Sequence, residues 1–221
     1  MTQQSPSRFT VHREMLQCRF TTLYDAIDNE TGEAVTVRRI SPLTASTNAL
    51  PLARAQVVRE GRLLEEARAP HLPRLLRTQP EGDDPVLVFE RIDGHPLEYV
   101  VGNLSGMPGQ HLLGRWMHQT ARALAVLHER GVVLRDLRPQ SVTITSGGEV
   151  MLVDFGLAWM GQDDDEDGPF RGQGAPHYAP PEQMSGRPPL PGFDLYALGA
   201  VFYHLATGRK PPTTHERSVL E

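Results

Sequence analysis

The chain has 221 residues, 39% hydrophobic and 22% charged, with a formal net charge of −5, enough for a real core in one domain or two small lobes. The negative balance argues against a broad nucleic-acid-binding surface, and no apolar run approaches the roughly 20 residues that span a bilayer, so neither nucleic acid nor membrane is an expected partner. The single cysteine, Cys18, excludes an internal disulfide framework and a cysteine-rich metal site.

Residues 1–14 are polar and read as a loose segment, with no apolar core ahead of a cleavage site, so a cytoplasmic location is expected. From Phe20 to Ile40 alternation predicts β structure, with Val35 and Val37 on one face and Asp28 to Gly32 as a hairpin turn. Leu50 to Arg68 reads as a helix, since Val57, Leu63, Leu64 and Ala67 recur at helical spacing. Pro85 to Phe89 is a short apolar strand closed by Asp93-Gly94. His111 to Arg130 forms a long amphipathic helix ended by Gly131. Two short strands follow, Val142 to Ile144 and Val150 to Val153, joined by Ser146-Gly147-Gly148. A loop rich in acid, Gly and Pro then leads to an apolar helix, Phe193 to Thr207. The result is an α+β chain in two halves, a β-rich 15–92 and a mainly helical 93–221.

Between the long helix and the next strand pair sits Leu134-Arg135-Asp136-Leu137-Arg138-Pro139-Gln140-Ser141. Asp154-Phe155-Gly156 begins 18 positions beyond Asp136, followed by Pro180-Pro181-Glu182 and by Asp194 to Gly199. With Leu127-His128-Glu129-Arg130-Gly131 ahead of it, this series resembles the eukaryotic-like (Hanks-type) Ser/Thr protein kinases of bacteria over about residues 20–212. The resemblance implies a bilobal fold, with a small β-rich N-lobe holding one helix and a mainly helical C-lobe, and ATP with Mg²⁺ as cofactors. Phosphoryl transfer needs positioning and charge neutralisation rather than covalent help. By resemblance Asp136 orients the substrate hydroxyl and Asp154 holds Mg²⁺. Ser141 stands at the second metal position, and Arg138 at the loop position that contacts the γ-phosphate. Glu60 would steer the strand position held by Arg38, and Thr36, Glu90, Ile92 and Thr143 complete the nucleotide-binding set.

The departures from that pattern bear on function. Met15 to Tyr24, where the family's phosphate-cradling loop would lie, contains no glycine, although Gly lets backbone N–H groups approach phosphates closely. Arg38 replaces a lysine, and a forked guanidinium is no equivalent of a compact ammonium. The chain holds one lysine, Lys210, against 21 arginines, so composition alone also favours this exchange. Arg39 points to the opposite face of the strand and cannot stand in. Ser141 replaces asparagine, Arg138 replaces lysine, and Leu134, able to pack on Phe155, replaces histidine. Thr36 and Thr143 bring hydroxyls to positions that would sandwich adenine, where an unpartnered hydroxyl costs about 1–3 kcal/mol and one bonded to backbone costs little. Ala175 stands where a threonine would tie the docking loop to the catalytic aspartate.

Between Asp154 and Glu182 there is no serine or threonine, and Tyr178 is the only hydroxyl. The acidic run Asp163 to Asp167 is expected either to be a solvated face or to imitate a loop phosphate docked on Arg135. After the last helix only Gly208 to Glu221 remain, so a shortened C-lobe is expected, with Leu195, Leu198, Val201, Phe202 and Leu205 left for a protein partner or a second copy to cover, unless the chain is a fragment of a longer gene product. These features together imply a pseudokinase acting as a regulatory or binding module, with a slow but active Ser/Thr kinase as the alternative.

Overall fold

The structure, a computed structural model, describes residues 8–104, 106–160 and 170–216. The chain divides into two compact units, residues 1–68 with 73–93, and residues 69–72 with 94–221.

In the first unit, strands β1 (Phe9–Gln17), β2 (Thr21–Asp28) and β3 (Ala34–Ile40) are followed by a short α1 (Pro42–Ala45), then α2 (Leu50–Glu66), β4 (Leu75–Glu81) and β5 (Asp84–Glu90). The strands form one antiparallel sheet in the order β1-β2-β3-β5-β4. Phe9, Ala26, Val35, Val37, Val86 and Val88 make a buried cluster on it, each large side chain contributing about 1.5–3 kcal/mol by burial. The β2–β3 turn closes at Gly32, whose φ of +73° is left-handed and suits a residue without Cβ. Asp28 anchors the same turn: its buried carboxylate accepts the Glu30 N–H at 3.0 Å and pairs with Arg8 and Arg77.

The segment expected to be loose through residue 14 is strand from Phe9 onward. Its buried positions are essentially Phe9 and Leu16, far apart on an edge strand, so the polar residues between them hide the pairing. The predicted helix from Leu50 forms and ends at Glu66. Gly61 in its middle allows close packing, because a Cβ there would meet Thr78 Oγ1 at 2.9 Å and Leu87 Cδ2 at 3.0 Å.

In the second unit come β6 (Gly94–Pro96), α3 (Leu97–Gly102), α4 (Gln110–Glu129), β7 (Val132–Val133), β8 (Val142–Thr145), β9 (Val150–Leu152), β10 (Trp159–Met160), α5 (Pro181–Met184) and α6 (Pro191–Thr207). Strands β6, β8 and β9 form one small sheet, and β7 pairs with β10. Helices α4 and α6 pack on one another. Leu198, Val201, Phe202 and Leu205 of α6 are thereby buried, so of the five residues expected bare only Leu195, 56% exposed, is so, and Tyr203, not among them, is 49% exposed. The chain beyond α6 also folds back, with Thr214 Oγ1 donating to Ala179 O at 2.7 Å. Among the described residues no helix is long and apolar enough to cross a membrane.

Candidate functional site

The predicted site residues fall into two groups, one in each unit. In the first unit, β3 alternates so that Thr36 and Arg38 share one face, while Arg39 lies on the other. Arg39 pairs with Glu81 at 2.7 Å, its guanidinium 5.5 Å from the Phe9 ring. Arg38 meets Glu60 of α2, Nε to Oε1 at 3.2 Å, with both side chains 1% exposed. Its Nη1 also donates to Cys18 Sγ at 3.3 Å and to Thr21 Oγ1 at 3.1 Å. A buried cation must be paired and hydrogen-bonded, and Arg38 meets that demand within its own unit. It joins α2 to the β1–β2 turn, which closes without glycine through the Cys18 N–H on Thr21 O at 2.8 Å. The bonds from Arg38 to Cys18 and Thr21 were not foreseen; the length of a guanidinium relative to an ammonium is the signal that could have suggested such reach.

Thr36 is fully buried, and its Oγ1 accepts the backbone N–H of Ile92 at 2.8 Å. The hydroxyl is therefore satisfied by backbone, and the cost attached to an unpartnered one does not arise here. Ile92 is buried, whereas Glu90 is exposed and lies 3.8 Å from the equally exposed Arg74, an arrangement of little energetic weight.

In the second unit the loop from Leu134 to Ser141 is held from beneath by Asp194 of α6. Its buried carboxylate accepts the Leu134 and Arg135 N–H groups, both at 2.8 Å, and lies 2.8 Å from His128 Nε2. These bonds keep Arg135 at a φ of +64°, unusual for a residue with a Cβ. Arg135 is buried, and its Nε donates to Leu157 O at 2.6 Å. The acidic run expected to pair with it, Asp163 to Asp167, lies outside the described residues. Leu134 and Phe155 are both buried. Ala175 has no hydroxyl to make the tie expected of a threonine; a neighbouring link to the loop comes from the Gln183 amide, which donates to the backbone carbonyls of Arg135 and Gln173, each at 2.7 Å. A glutamine beside a Pro-Glu turn carries no signal of that role in sequence.

Asp136, Arg138, Ser141 and Asp154 come together. Arg138 Nη2 donates to Asp154 Oδ2 at 3.1 Å, and its Nε lies 3.4 Å from Asp136 Oδ2. Asp154 Oδ1 accepts the Gly156 N–H at 3.2 Å. Ser141 is buried; its Oγ accepts the Arg138 N–H at 3.0 Å and donates towards Arg138 O and Asp136 O at 2.9 and 3.2 Å. Thr143, on β8 opposite Met151 and Pro96, is buried. Tested against the Mg²⁺ that the resemblance implies, this donor set does not fit. The serine hydroxyl is engaged by its own loop, and of the two Asp154 oxygens one is held by a guanidinium and the other by the Gly156 N–H. Among the described residues there is no cluster of three or more His, Cys, Asp or Glu that could hold a metal.

Tyr178, the sole hydroxyl of the loop, is also buried, its Oη 2.9 Å from His204 Nδ1. Burial pushes the phenol up to about 12 and holds His204 below the usual histidine range.

Residues 9–220 match the protein kinase domain family. The chain is 34% identical over 131 residues to the serine/threonine-protein kinase PknA of Mycobacterium tuberculosis, covering 59% of this chain and 30% of that protein. It is 32% identical over 192 residues to the serine/threonine-protein kinase PkaA of Streptomyces coelicolor, covering 84% of this chain and 34% of that protein. To the serine/threonine-protein kinase pkn2 of Myxococcus xanthus it is 33% identical over 159 residues, 69% of this chain and 19% of that protein. The chain thus spans about a third or less of the length of these curated relatives.

Proposed function

The chain belongs to the protein kinase family, and we propose that within it this chain is a pseudokinase, a cytoplasmic regulatory or binding module that acts on protein partners without transferring phosphate. Protein kinase domains in general bind ATP and Mg²⁺. The observation that carries the reading is the bond from the Ile92 N–H to Thr36 Oγ1 at 2.8 Å. Both positions belong to the set expected to contact nucleotide, and each has already satisfied the other. A ligand that needed the Ile92 N–H would first have to break a buried hydrogen bond and leave the threonine hydroxyl without its donor, a penalty of about 1–3 kcal/mol. Arg38 supports the same reading, because its Nη1 is committed to Cys18 and Thr21.

A second reading, a slow Ser/Thr kinase, is favoured by the Arg38–Glu60 pair at 3.2 Å, which keeps the strand cation joined to the helix glutamate, and by the retention of Asp136 and Asp154. Transfer of radiolabelled γ-phosphate to acceptor proteins and to the chain itself separates the two. The proposal expects no transfer above that of Asp136→Asn. Transfer that Asp136→Asn abolishes would establish the slow kinase instead.

A further inference from the structure

We propose that Arg138 is a built-in counter-cation for Asp136 and Asp154, occupying with a tethered guanidinium the position a divalent metal would otherwise take. This rests on the reading of the site given above and says how its metal-binding half is replaced. The Asp154 side chain is 3% exposed and that of Asp136 is 14% exposed. Two neighbouring carboxylates, one of them withdrawn from water, require a positive charge close by. Arg138 supplies it at 3.1 Å from Asp154 Oδ2 and 3.4 Å from Asp136 Oδ2. The geometry of a guanidinium suits this, since its planar fork presents donors on separate nitrogens, Nη2 to Asp154 and Nε to Asp136, in a fixed arrangement that an ammonium on a flexible stem does not have.

The backbone holds the arginine in place. Ser141 Oγ accepts the Arg138 N–H at 3.0 Å, and the Ser141 N–H returns to Arg138 O at 3.0 Å. The loop therefore presents the side chain from a fixed turn, and the serine hydroxyl at the second metal position is engaged in fixing it. A divalent ion entering here must compete for Asp154 Oδ2 with a cation tethered a few bonds away. Displacing the arginine gives up a charge-assisted hydrogen bond to a buried carboxylate, and the loss of such a bond lowers metal affinity by about tenfold or more.

Mn²⁺ alone, titrated against the full chain and followed by the paramagnetic resonance of the free ion, tests this. Arg138→Gln should bind Mn²⁺ at least about tenfold more tightly than the wild type, and the gain should vanish in Arg138→Gln/Asp154→Asn. Arg138→Lys keeps a charge on the loop but not the fork, and should show a smaller gain in the same direction. It also serves if the glutamine variant folds poorly. Equal Mn²⁺ affinity in the wild type and in whichever variants fold would overturn the inference. The phosphotransfer assay reads the function separately. A wild type that binds Mn²⁺ as well as the variants yet transfers no phosphate removes this inference and leaves the pseudokinase. One that transfers phosphate while the variants gain Mn²⁺ affinity does the reverse.

Discussion

The Arg38 guanidinium and the Glu60 carboxylate meet at 3.2 Å with each side chain 1% exposed, which places a whole ion pair inside the first unit. Such a pair adds little net stability over an apolar one of the same shape, but removing one member leaves a buried uncompensated charge. Arg38→Ala or Glu60→Ala should therefore each cost about 3–5 kcal/mol in urea unfolding. The double variant Arg38→Met/Glu60→Leu should recover most of that loss. A single variant as stable as the wild type would mean the pair is not buried as described.

Thr36 offers a more selective change. Thr36→Val keeps the volume and removes the acceptor of the Ile92 N–H. The unpaired donor should lower stability by about 1–3 kcal/mol. It should also become available to a ligand, so that metal-free ATP binds about tenfold more tightly by calorimetry. A Thr36→Val chain unchanged in both respects would show that this bond does not guard the position.

Burial of Tyr178 and His204 makes stability fall at two edges of the pH range. Burial lowers the His204 pKa from 6.5, so the folded state resists protonation that the unfolded state accepts. Its contribution is complete above about pH 6.5 and is lost as pH falls from there through the folded value. Tyr178 is raised from 10.0 to about 12, so its contribution is complete below pH 10 and is lost as pH rises towards 12. Melting temperatures across pH 5 to 7 should decline on the acid side in the wild type and flatten in His204→Gln. An unchanged acid slope in that variant would assign the titration elsewhere.

Much of the fold was legible because long periodic segments speak for themselves. The α2, α4 and α6 helices follow from apolar spacing, and Gly131 and Gly208 end the last two with φ of +70° and +68°. Short elements were not legible. Strands β7 and β10 have two residues each and exist only because Val132 and Val133 find Met160 and Trp159 across the fold. In the site, motif order located Asp136, Asp154, Glu60 and Arg38, since the identities of charged residues survive in sequence. What those charges touch did not. Arg138 turning onto Asp154, Arg38 reaching Cys18, and Gln183 reaching the Arg135 carbonyl all depend on side-chain reach across segments distant in the chain. The threonine at 36 was ambiguous for the same reason, because whether its hydroxyl has a partner depends on Ile92, 56 positions away.

In the pseudokinase reading, this chain's own side chains hold the contacts a kinase would offer to ATP and its metal. Thermal unfolding of the full chain with ATP, alone and with Mg²⁺ or Mn²⁺, tests it most directly, since a ligand that binds only the folded state must raise the melting temperature. A pseudokinase with these contacts occupied should show no shift at millimolar ATP with either ion. A metal-dependent rise that Asp154→Ala abolishes would contradict it and return the chain to the working kinases.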